Sequence, residues 1–362
     1  MSDITDIEKS RRKINEIDDE MVELFKERMK VAGDIALYKK EYGLQIKDPK
    51  REEALKTRLL EKVDDDKIRS YYVRYLDSLL KISCDYQSEL ISGARIAYCG
   101  EIGAFAYFAA KTIFPNGIDK AYDNFADAYQ SVVKGECDYA VLPIENSNTG
   151  EVRRVVDMLL DGNLVVTGMY EMPVDQTLMG VKGAKLSDIK KVKSHHQALS
   201  QCADYISRHG FETEETLSTS LAAKEVAEAG DITVAAIANE KAAEYYGLEV
   251  IEPQINEQRN NTTRFAVFTH SLSKDAGKQN TDKFILTFTV KNEAGSLAQA
   301  ISIIASYGYN MRCLRSRPMK NAIWNYYFYC EIDGAVNSEN GSDMIRALGL
   351  CCKDLKIAGI FK

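Results

Sequence analysis

Arg28 interrupts an otherwise apolar stripe. Residues 3–42 contain no Pro, and their only Gly is Gly33. Ile14, Ile17, Met21, Leu24, Arg28, Val31, Ile35 and Tyr38 recur at alternating spacings of three and four, the seam of a long helix packed on other helices. A guanidinium in such a seam is costly unless it meets an anion, so the position predicts a bound anionic guest. At about 100° per residue, Lys39 lies roughly 20° round from Arg28 and shares its face. Arg11 lies roughly 100° away, too far to serve the same pocket on this helix. A helix of about 40 residues is roughly 60 Å long, more than a small monomer covers. A second chain is therefore expected alongside, with Arg11 reaching into the partner's pocket. A coiled-coil tether with solvated charges fits the same pattern.

A second group sits far down the chain. In Asn260-Asn261-Thr262-Thr263-Arg264-Phe265, four uncharged polar residues lead straight into an apolar strand that carries an Arg. Gly100-Glu101-Ile102-Gly103, Pro143-Ile144-Glu145-Asn146-Ser147 and Ser218-Thr219-Ser220 stand at turns beside predicted strands and helices. Each alone reads as a cap or turn. Together, hydroxyls, amides and free backbone N–H groups suit a small polyanion. There is no Rossmann fingerprint and no P-loop.

The elements that must position these residues fall into three segments, as 362 residues allow. After Tyr42-Gly43 the chain turns, and Asp48 caps a helix with Pro49 at its first position, placing Arg51 and Glu52 one turn inside. Asp64-Asp65-Asp66 breaks that helix. Lys67 to Ile91 forms a third, on which Ser83 and Gln87 share a face. Beyond Ser92-Gly93 short apolar runs alternate with helical stretches. Strands are expected near 95–99, 139–142, 164–169, 191–194, 232–238 and 264–268, parallel and joined by crossovers. In such sheets ligands lie beyond the carboxyl ends of strands, against helix N-termini. Residues 271–282 read as a polar linker. The last segment, residues 283–362, is ordered strand–helix–strand–strand–helix–strand, a ferredoxin-like topology, with Trp324, Tyr326, Phe328 and Cys330 alternating as its core.

Composition narrows the classes. A net charge of -7 and the absence of a basic block argue against nucleic acid. No apolar run approaches the roughly eighteen residues of a membrane span, and the N-terminus has no signal-peptide pattern, so a cytoplasmic protein is expected. The eight cysteines are scattered and read as reduced core residues, and four histidines offer little for a metal.

The set Arg11, Arg28, Lys39, Asp48, Arg51, Glu52, Ser83 and Gln87 resembles the pocket of the all-helical chorismate mutases. That family rearranges chorismate, an enolpyruvyl ether dianion, to prephenate in a concerted pericyclic step with no proton transfer, so catalysis rests on holding the reactive conformer and stabilising charge on the ether oxygen. The resemblance implies that Arg28, Arg51 and the partner chain's Arg11 clamp the carboxylates. Lys39 and Gln87 would donate to the ether oxygen. Glu52 would hold the ring hydroxyl, Asp48 its backbone region and Ser83 a carboxylate. Residues 94–270 resemble prephenate dehydratase, with Thr263-Arg264-Phe265 as the most specific triplet. This implies a two-lobed fold like the type II periplasmic binding proteins, expulsion of the ring hydroxyl and CO₂ from prephenate to give phenylpyruvate, and Thr263 as donor to the leaving oxygen. A Thr hydroxyl is a poor acid alone, so hydrogen bonding with aromatisation is expected to drive the step. Glu145, Asn146, Ser147, Gln201, Thr219 and Ser220 are the expected cleft contacts, and Arg264 either binds a carboxylate there or braces the cleft. His196 and Leu217 depart from the family's usual residues.

Residues 283–362 resemble the ACT domain, an amino-acid-sensing module. Gly295-Ser296-Leu297-Ala298, which differs at its second and fourth positions, and Arg315-Ser316-Arg317-Pro318, flanked by Asn292 and Leu314, resemble the two motifs that hold phenylalanine in related dehydratases. Arg315 stands where Glu is usual. The expectation is a multidomain chain: an all-α dimeric helical domain (residues 1–92), an α/β two-lobed domain (94–270) and an α+β ACT domain (283–362). It would convert chorismate through prephenate to phenylpyruvate under feedback by phenylalanine, as a homodimer or higher oligomer, without cofactor or metal. A non-catalytic sensor of aromatic metabolites, and arogenate as the second substrate, are the alternatives.

Overall fold

The computed structural model describes residues 2–258, 260–319 and 326–362, with side chains from residue 7 onward. The chain divides into two compact units, Met1–Ala94 and Arg95–Lys362.

The first unit has three helices: α1 (Ser2–Glu41), α2 (Pro49–Leu60) and α3 (Asp66–Ser92). Asp48 caps α2 by accepting from the Arg51 backbone N–H, and Asp65 caps α3 through Lys67 and Ile68. Ala32 and Ala36 are buried, as is Leu76 on α3. Their small side chains let α1 and α3 approach closely. The expected seam is otherwise uncovered within one chain: Ile14, Ile17, Met21, Leu24, Val31 and Tyr38 are each at least 45% exposed. An apolar stripe of that length is far from the scattered exposed apolar residues of an ordinary monomer surface.

The second unit opens with β1 (Arg95–Cys99), α4 (Phe105–Ile113), β2 (Ile118–Tyr122), α5 (Phe125–Val133), β3 (Tyr139–Asn146), β4 (Gly150–Glu151), α6 (Arg153–Asp161) and β5 (Val165–Pro173). The chain then crosses to a second lobe made of β6 (Thr177–Gly180), β7 (Lys191–Ser194), α7 (His196–Gln201), α8 (Ala203–His209), β8 (Glu212–Glu215), α9 (Thr219–Ala229), β9 (Val234–Ala238), α10 (Glu240–Tyr246) and β10 (Glu249–Glu252). It returns as β11 (Thr262–Thr269), which inserts between β3 and β5. That insertion corrects the all-parallel expectation: β11 runs antiparallel to both neighbours because it enters from the opposite lobe. The second lobe's sheet runs β10-β6-β9-β7-β8.

The remaining elements are β12 (Lys283–Val290), α11 (Ser296–Ser306), β13 (Asn310–Pro318), β14 (Tyr326–Asp333), α12 (Glu339–Cys351) and β15 (Cys352–Phe361). Their order β13-β14-β12-β15 is that of a ferredoxin-like sheet. It joins the first lobe's sheet where Gly359 pairs with Val166. A Cβ at Gly359 would lie 2.7 Å from Val166 Cβ and O, so only glycine permits this approach. The module is covered on both faces. Phe284, Leu286, Phe288, Cys330 and Ile332 lie in its own core, whereas Ile285, Tyr329, Ala358 and Phe361 belong to the first lobe's core. The single alternating face expected of β14 is thereby corrected. Tyr326 is 42% exposed while Tyr327 and Tyr329 are buried, and Trp324 lies outside the described residues. Residues 271–282 are no free linker either. Leu272 and Ala276 pack on the C-terminal core, and the Asn337 N–H donates to Gly277 O at 2.8 Å.

Candidate active sites

In the helical unit, Arg28, Lys39, Asp48, Arg51, Glu52, Ser83 and Gln87 surround one cavity of about 470 Å³, walled by Leu24, Val31, Ala32, Ile35, Ile46, Leu55 and Leu80. All three helices contribute. Arg28 donates to Ser83 Oγ, and Ser83 in turn donates to Leu79 O at 3.0 Å, one turn back on α3. Lys39 donates to Ile46 O and, at 3.3 Å, to Gln87 Oε1. Since Gln87 accepts from Lys39 through its oxygen, its amide nitrogen is left to donate into the cavity. Ser83 and Gln87 are 5% and 7% exposed, so their polar atoms have been withdrawn from water and held in place. Glu27 and Cys84, absent from the expected set, also line the wall, and Cys84 donates to Glu52 Oε1 at 3.7 Å. Burial followed by the Glu52 charge raises the Cys84 thiol, which stays protonated. Arg11 is exposed beside Glu8 at 3.8 Å and does not line this cavity.

The cleft between the two lobes, about 400 Å³, takes Ala104, Phe105 and Ala106 from the start of α4 and Asn146 and Thr149 from the β3–β4 turn. His195, Gln197 and Gln201 come from the helix after β7 and its N-cap, and Ser218 and Thr219 from the start of α9. Val174, Gln176, Asn261 and Thr263 lie on or beside the two segments that cross between lobes. Phe125, Pro143 and Phe265 supply apolar wall. The first backbone N–H groups of α4 have no capping side chain, because Ala104 occupies the N-cap. That leaves them as donors facing the cleft. Burial, then neighbouring His196, lowers the His195 imidazole below its ordinary value, and neutral His195 accepts from the Gln197 N–H at 3.3 Å.

Thr263 is oriented by Asn146. Asn146 Oδ1 accepts from the backbone N–H groups of Asn148 and Thr149 at 3.0 and 3.1 Å, which fixes its amide the other way round. Asn146 Nδ2 then donates to Asn261 Oδ1 at 2.7 Å and to Thr263 Oγ1 at 3.0 Å. With its oxygen already accepting, the Thr263 hydroxyl has its proton to give toward the cleft. Sequence inspection passed over Asn261 and Gln176 as site residues. Both are 3% exposed, and Asn261 Nδ2 and Gln176 Oε1 are buried with no partner in the described protein. A buried polar atom left unpaired is costly, so both await a guest's polar groups. Gln176 Nε2 donates to Gln201 Oε1 at 3.0 Å, which places Gln201 at the cleft floor.

Four expected cleft contacts lie elsewhere. Ser220 is fully buried behind Ser218, 3.1 Å from its hydroxyl, and Ser147 is exposed and donates to Asn260 O at 3.1 Å. Glu145 and Arg264 project to the opposite face of the sheet, as alternation along β3 and β11 requires. There Arg264 forms a fork with Glu331, at 3.1 and 2.9 Å, and reaches Glu145 at 3.2 Å. Burial disfavours the Arg264 charge, but Glu331 first and then Tyr329 and Glu145 outweigh it, and the guanidinium stays charged. Glu331 is only 3% exposed. Removing one partner of such a buried pair costs roughly 3–5 kcal/mol.

The expected effector motif is likewise divided. Leu314, Ser316 and Pro318 are exposed on one side of β13. Arg315 and Arg317 face the other, pairing with Glu145 (2.5 Å) and with Glu151 and Asp157 (3.1 and 2.7 Å). Asn292 and the Gly295-Ser296-Leu297-Ala298 turn lead into α11, with Gly295 at its N-cap. No helix among the described residues is long and apolar enough to cross a membrane.

Two family models match separate stretches of the chain. The family model for chorismate mutase type II matches residues 10–88, and that for prephenate dehydratase matches residues 96–272. The bifunctional chorismate mutase/prephenate dehydratase of Escherichia coli (strain K12) is 30% identical over 366 residues, covering 97% of this chain and 95% of the relative. A solved prephenate dehydratase from Staphylococcus aureus subsp. aureus Mu50 superposes with a TM-score of 0.65 at 27% identity, covering 74% of this chain and 100% of that one. The prephenate dehydratase from Arthrobacter aurescens, solved in complex with L-Phe, gives 0.66 at 25% identity, covering 74% and 89%.

Proposed function

This chain belongs to the bifunctional chorismate mutase/prephenate dehydratase family, and on that premise we propose which residues carry each of its two reactions. It rearranges chorismate to prephenate and converts prephenate to phenylpyruvate, two steps of phenylalanine biosynthesis. Residues 1–92 house the mutase, 94–270 the dehydratase and 283–362 an ACT regulatory domain.

In the mutase, Arg28, Arg51 and Arg11 of a second copy bind the substrate's carboxylates. Lys39 Nζ and Gln87 Nε2 donate to the ether oxygen as its bond breaks, and Glu52 accepts from the ring hydroxyl. Ser83 holds Arg28 in position, and Asp48 fixes the turn that presents Arg51. No proton is moved. The barrier falls because donors already aligned in a water-poor cavity meet charge that develops in the transition state. The exposed stripe on α1 supports a homodimer that supplies the missing Arg11.

In the dehydratase, the uncapped start of α4, with Thr219 and Gln201 nearby, receives the carboxylates of prephenate. Thr263 donates to the departing ring hydroxyl as the ring carboxylate leaves as CO₂. Aromatisation drives the step, so a weak acid in a fixed orientation suffices. The observation that carries this assignment is the bond from Asn146 Nδ2 to Thr263 Oγ1, which leaves the threonine's proton for the cleft. Phenylalanine restrains the pathway at the ACT domain, through Asn292, the turn at Gly295–Ala298 and the outer face of β13 at Leu314, Ser316 and Pro318. The protein works in the cytoplasm.

Chorismate added to purified protein tests the assignment. Phenylpyruvate should form and slow on adding phenylalanine. Thr263→Ala should stop at prephenate, and arogenate in place of prephenate should turn over poorly. Continued phenylpyruvate production by folded Thr263→Ala would overturn the role given to Thr263.

A further inference from the structure

We infer that Arg315, on the C-terminal module, is a positioning residue for the dehydratase reaction, holding Thr263 in register through Glu145 and Asn146. The inference rests on Thr263 being the donor to the leaving group.

Three contacts meet on one strand. Glu145 and Asn146 are the last two residues of β3, and alternation sends them to opposite faces. On the cleft face Asn146 bonds Thr263 and Asn261. On the other face Glu145 is held by two guanidiniums, Arg315 at 2.5 Å and Arg264 at 3.2 Å. On one side this end of β3 pairs with β11, at Thr263 and Arg264; on the other it has only the two residues of β4, Gly150 and Glu151, paired with Asn146 and Glu145. Arg315 also lies 3.6 Å from Glu151, so one side chain ties both strands of the turn. Arg264 reaches Glu145 through one nitrogen only, and that nitrogen is shared with Glu331, whereas Arg315 also spans to Glu151.

Arg315 comes from β13, the edge strand of the C-terminal module, whose outer neighbours Leu314 and Ser316 are exposed. A change on that outer face rotates or shifts a strand that is paired on one side only among the described residues, and Arg315 moves with it. Glu145 follows its guanidinium, the β3 end follows Glu145, and Asn146 turns the Thr263 hydroxyl away from the leaving group. The chain of contacts is contiguous at every step, and each link is a hydrogen bond or a peptide bond.

The test compares Arg315→Ala with Lys356→Met in the full-length protein. Lys356 donates from β15 to Leu159 O and Gly162 O at 3.2 and 2.6 Å, so its loss weakens the same junction without touching β3. Arg315→Ala should lower dehydratase kcat about ten- to a hundredfold, the penalty for a misplaced catalytic group, with KM nearly unchanged. Mutase activity should be unaffected, Arg315→Lys should restore part of the loss, and Lys356→Met should leave dehydratase kcat alone. Equal losses of kcat in Arg315→Ala and Lys356→Met would mean a merely structural role and overturn the inference, as would an unchanged kcat in Arg315→Ala. Should Arg315→Ala not fold, Glu145→Gln releases Arg315 from the other side and must show the same fall in kcat. Thr263→Ala run in parallel separates the two claims: if it retains turnover, the role given to Thr263 fails, whatever Arg315 does.

Discussion

Asn146 and Thr263 face each other directly across antiparallel strands, and the Asn146 amide nitrogen lies 3.0 Å from the Thr263 hydroxyl oxygen. Two backbone N–H groups on the far side of Asn146 fix which way its amide points. A donor is therefore aimed at Thr263, and Thr263 must donate elsewhere.

Reversing that polarity tests the arrangement. Asn146→Asp replaces the donor by an acceptor and draws the Thr263 proton away from the cleft. Dehydratase kcat should fall by about a hundredfold or more, comparable to losing a positioned acid. The mutase, in a separate unit, should be untouched. Steady-state rates with prephenate and with chorismate give both numbers.

The mutase pocket, as proposed, draws on two chains, which makes a mixing experiment decisive. Arg28→Ala and Arg11→Ala should each lower mutase kcat/KM by about a hundredfold or more, from a lost bidentate carboxylate contact. Dimers exchanged between the two variants place both lesions in one pocket and none in the other. Random exchange should restore about a quarter of the pockets in a two-fold dimer. No recovery after verified exchange would mean that Arg11 does not serve the partner's pocket.

Gly103 sits where the two lobes of the second unit touch. Its φ is +90°, and a Cβ there would come within 3.0 Å of the Tyr246 ring. Tyr246 in turn donates to Ile102 O at 2.7 Å, and Phe108 of α4 lies in the second lobe's core. Gly103→Ala should cost about 1–3 kcal/mol, from backbone strain and displacement of that ring. Dehydratase activity should drop with it. Denaturant unfolding of the variant checks the figure.

The junction should also show in the pH dependence of stability. Burial alone would raise the Glu145 carboxyl, and Arg315 followed by Arg264 reverses this, leaving it below its usual 4.5. A depressed carboxyl binds its proton more readily in the unfolded chain, so its contribution is complete above about pH 4.5 and lost as pH falls through the folded value. The difference in Tm between the unaltered protein and Arg315→Ala should be widest near neutrality and shrink on acidification. Thermal unfolding across that range measures it.

Much of this protein was determined by sequence alone. Helical periodicity put Arg28 with Lys39 on one face and Ser83 with Gln87 on another, because it carries a residue's direction along with its position. That these meet Asp48, Arg51 and Glu52 around one cavity was implied only by the resemblance to the chorismate mutases. Thr263 was visible because a polar run ends abruptly in an apolar strand. Among the described residues five strands escaped, Ile118–Tyr122, Gly150–Glu151, Thr177–Gly180, Glu212–Glu215 and Glu249–Glu252, and all but Thr177–Gly180 are paired on one side only. An edge is half solvated, so its residues need not alternate or be apolar.

Only the tertiary structure decided what a side chain faces when both faces of its strand are buried. Glu145 and Arg264 stand beside Asn146 and Thr263 in sequence and on the opposite side of the sheet in space. The C-terminal module covers that side, and nothing local in the sequence says so. For the same reason Arg315 could be read as part of an effector motif, yet it reaches Glu145, 170 positions earlier. Periodicity tells which residues share a face, and the packing of distant segments determines what that face meets.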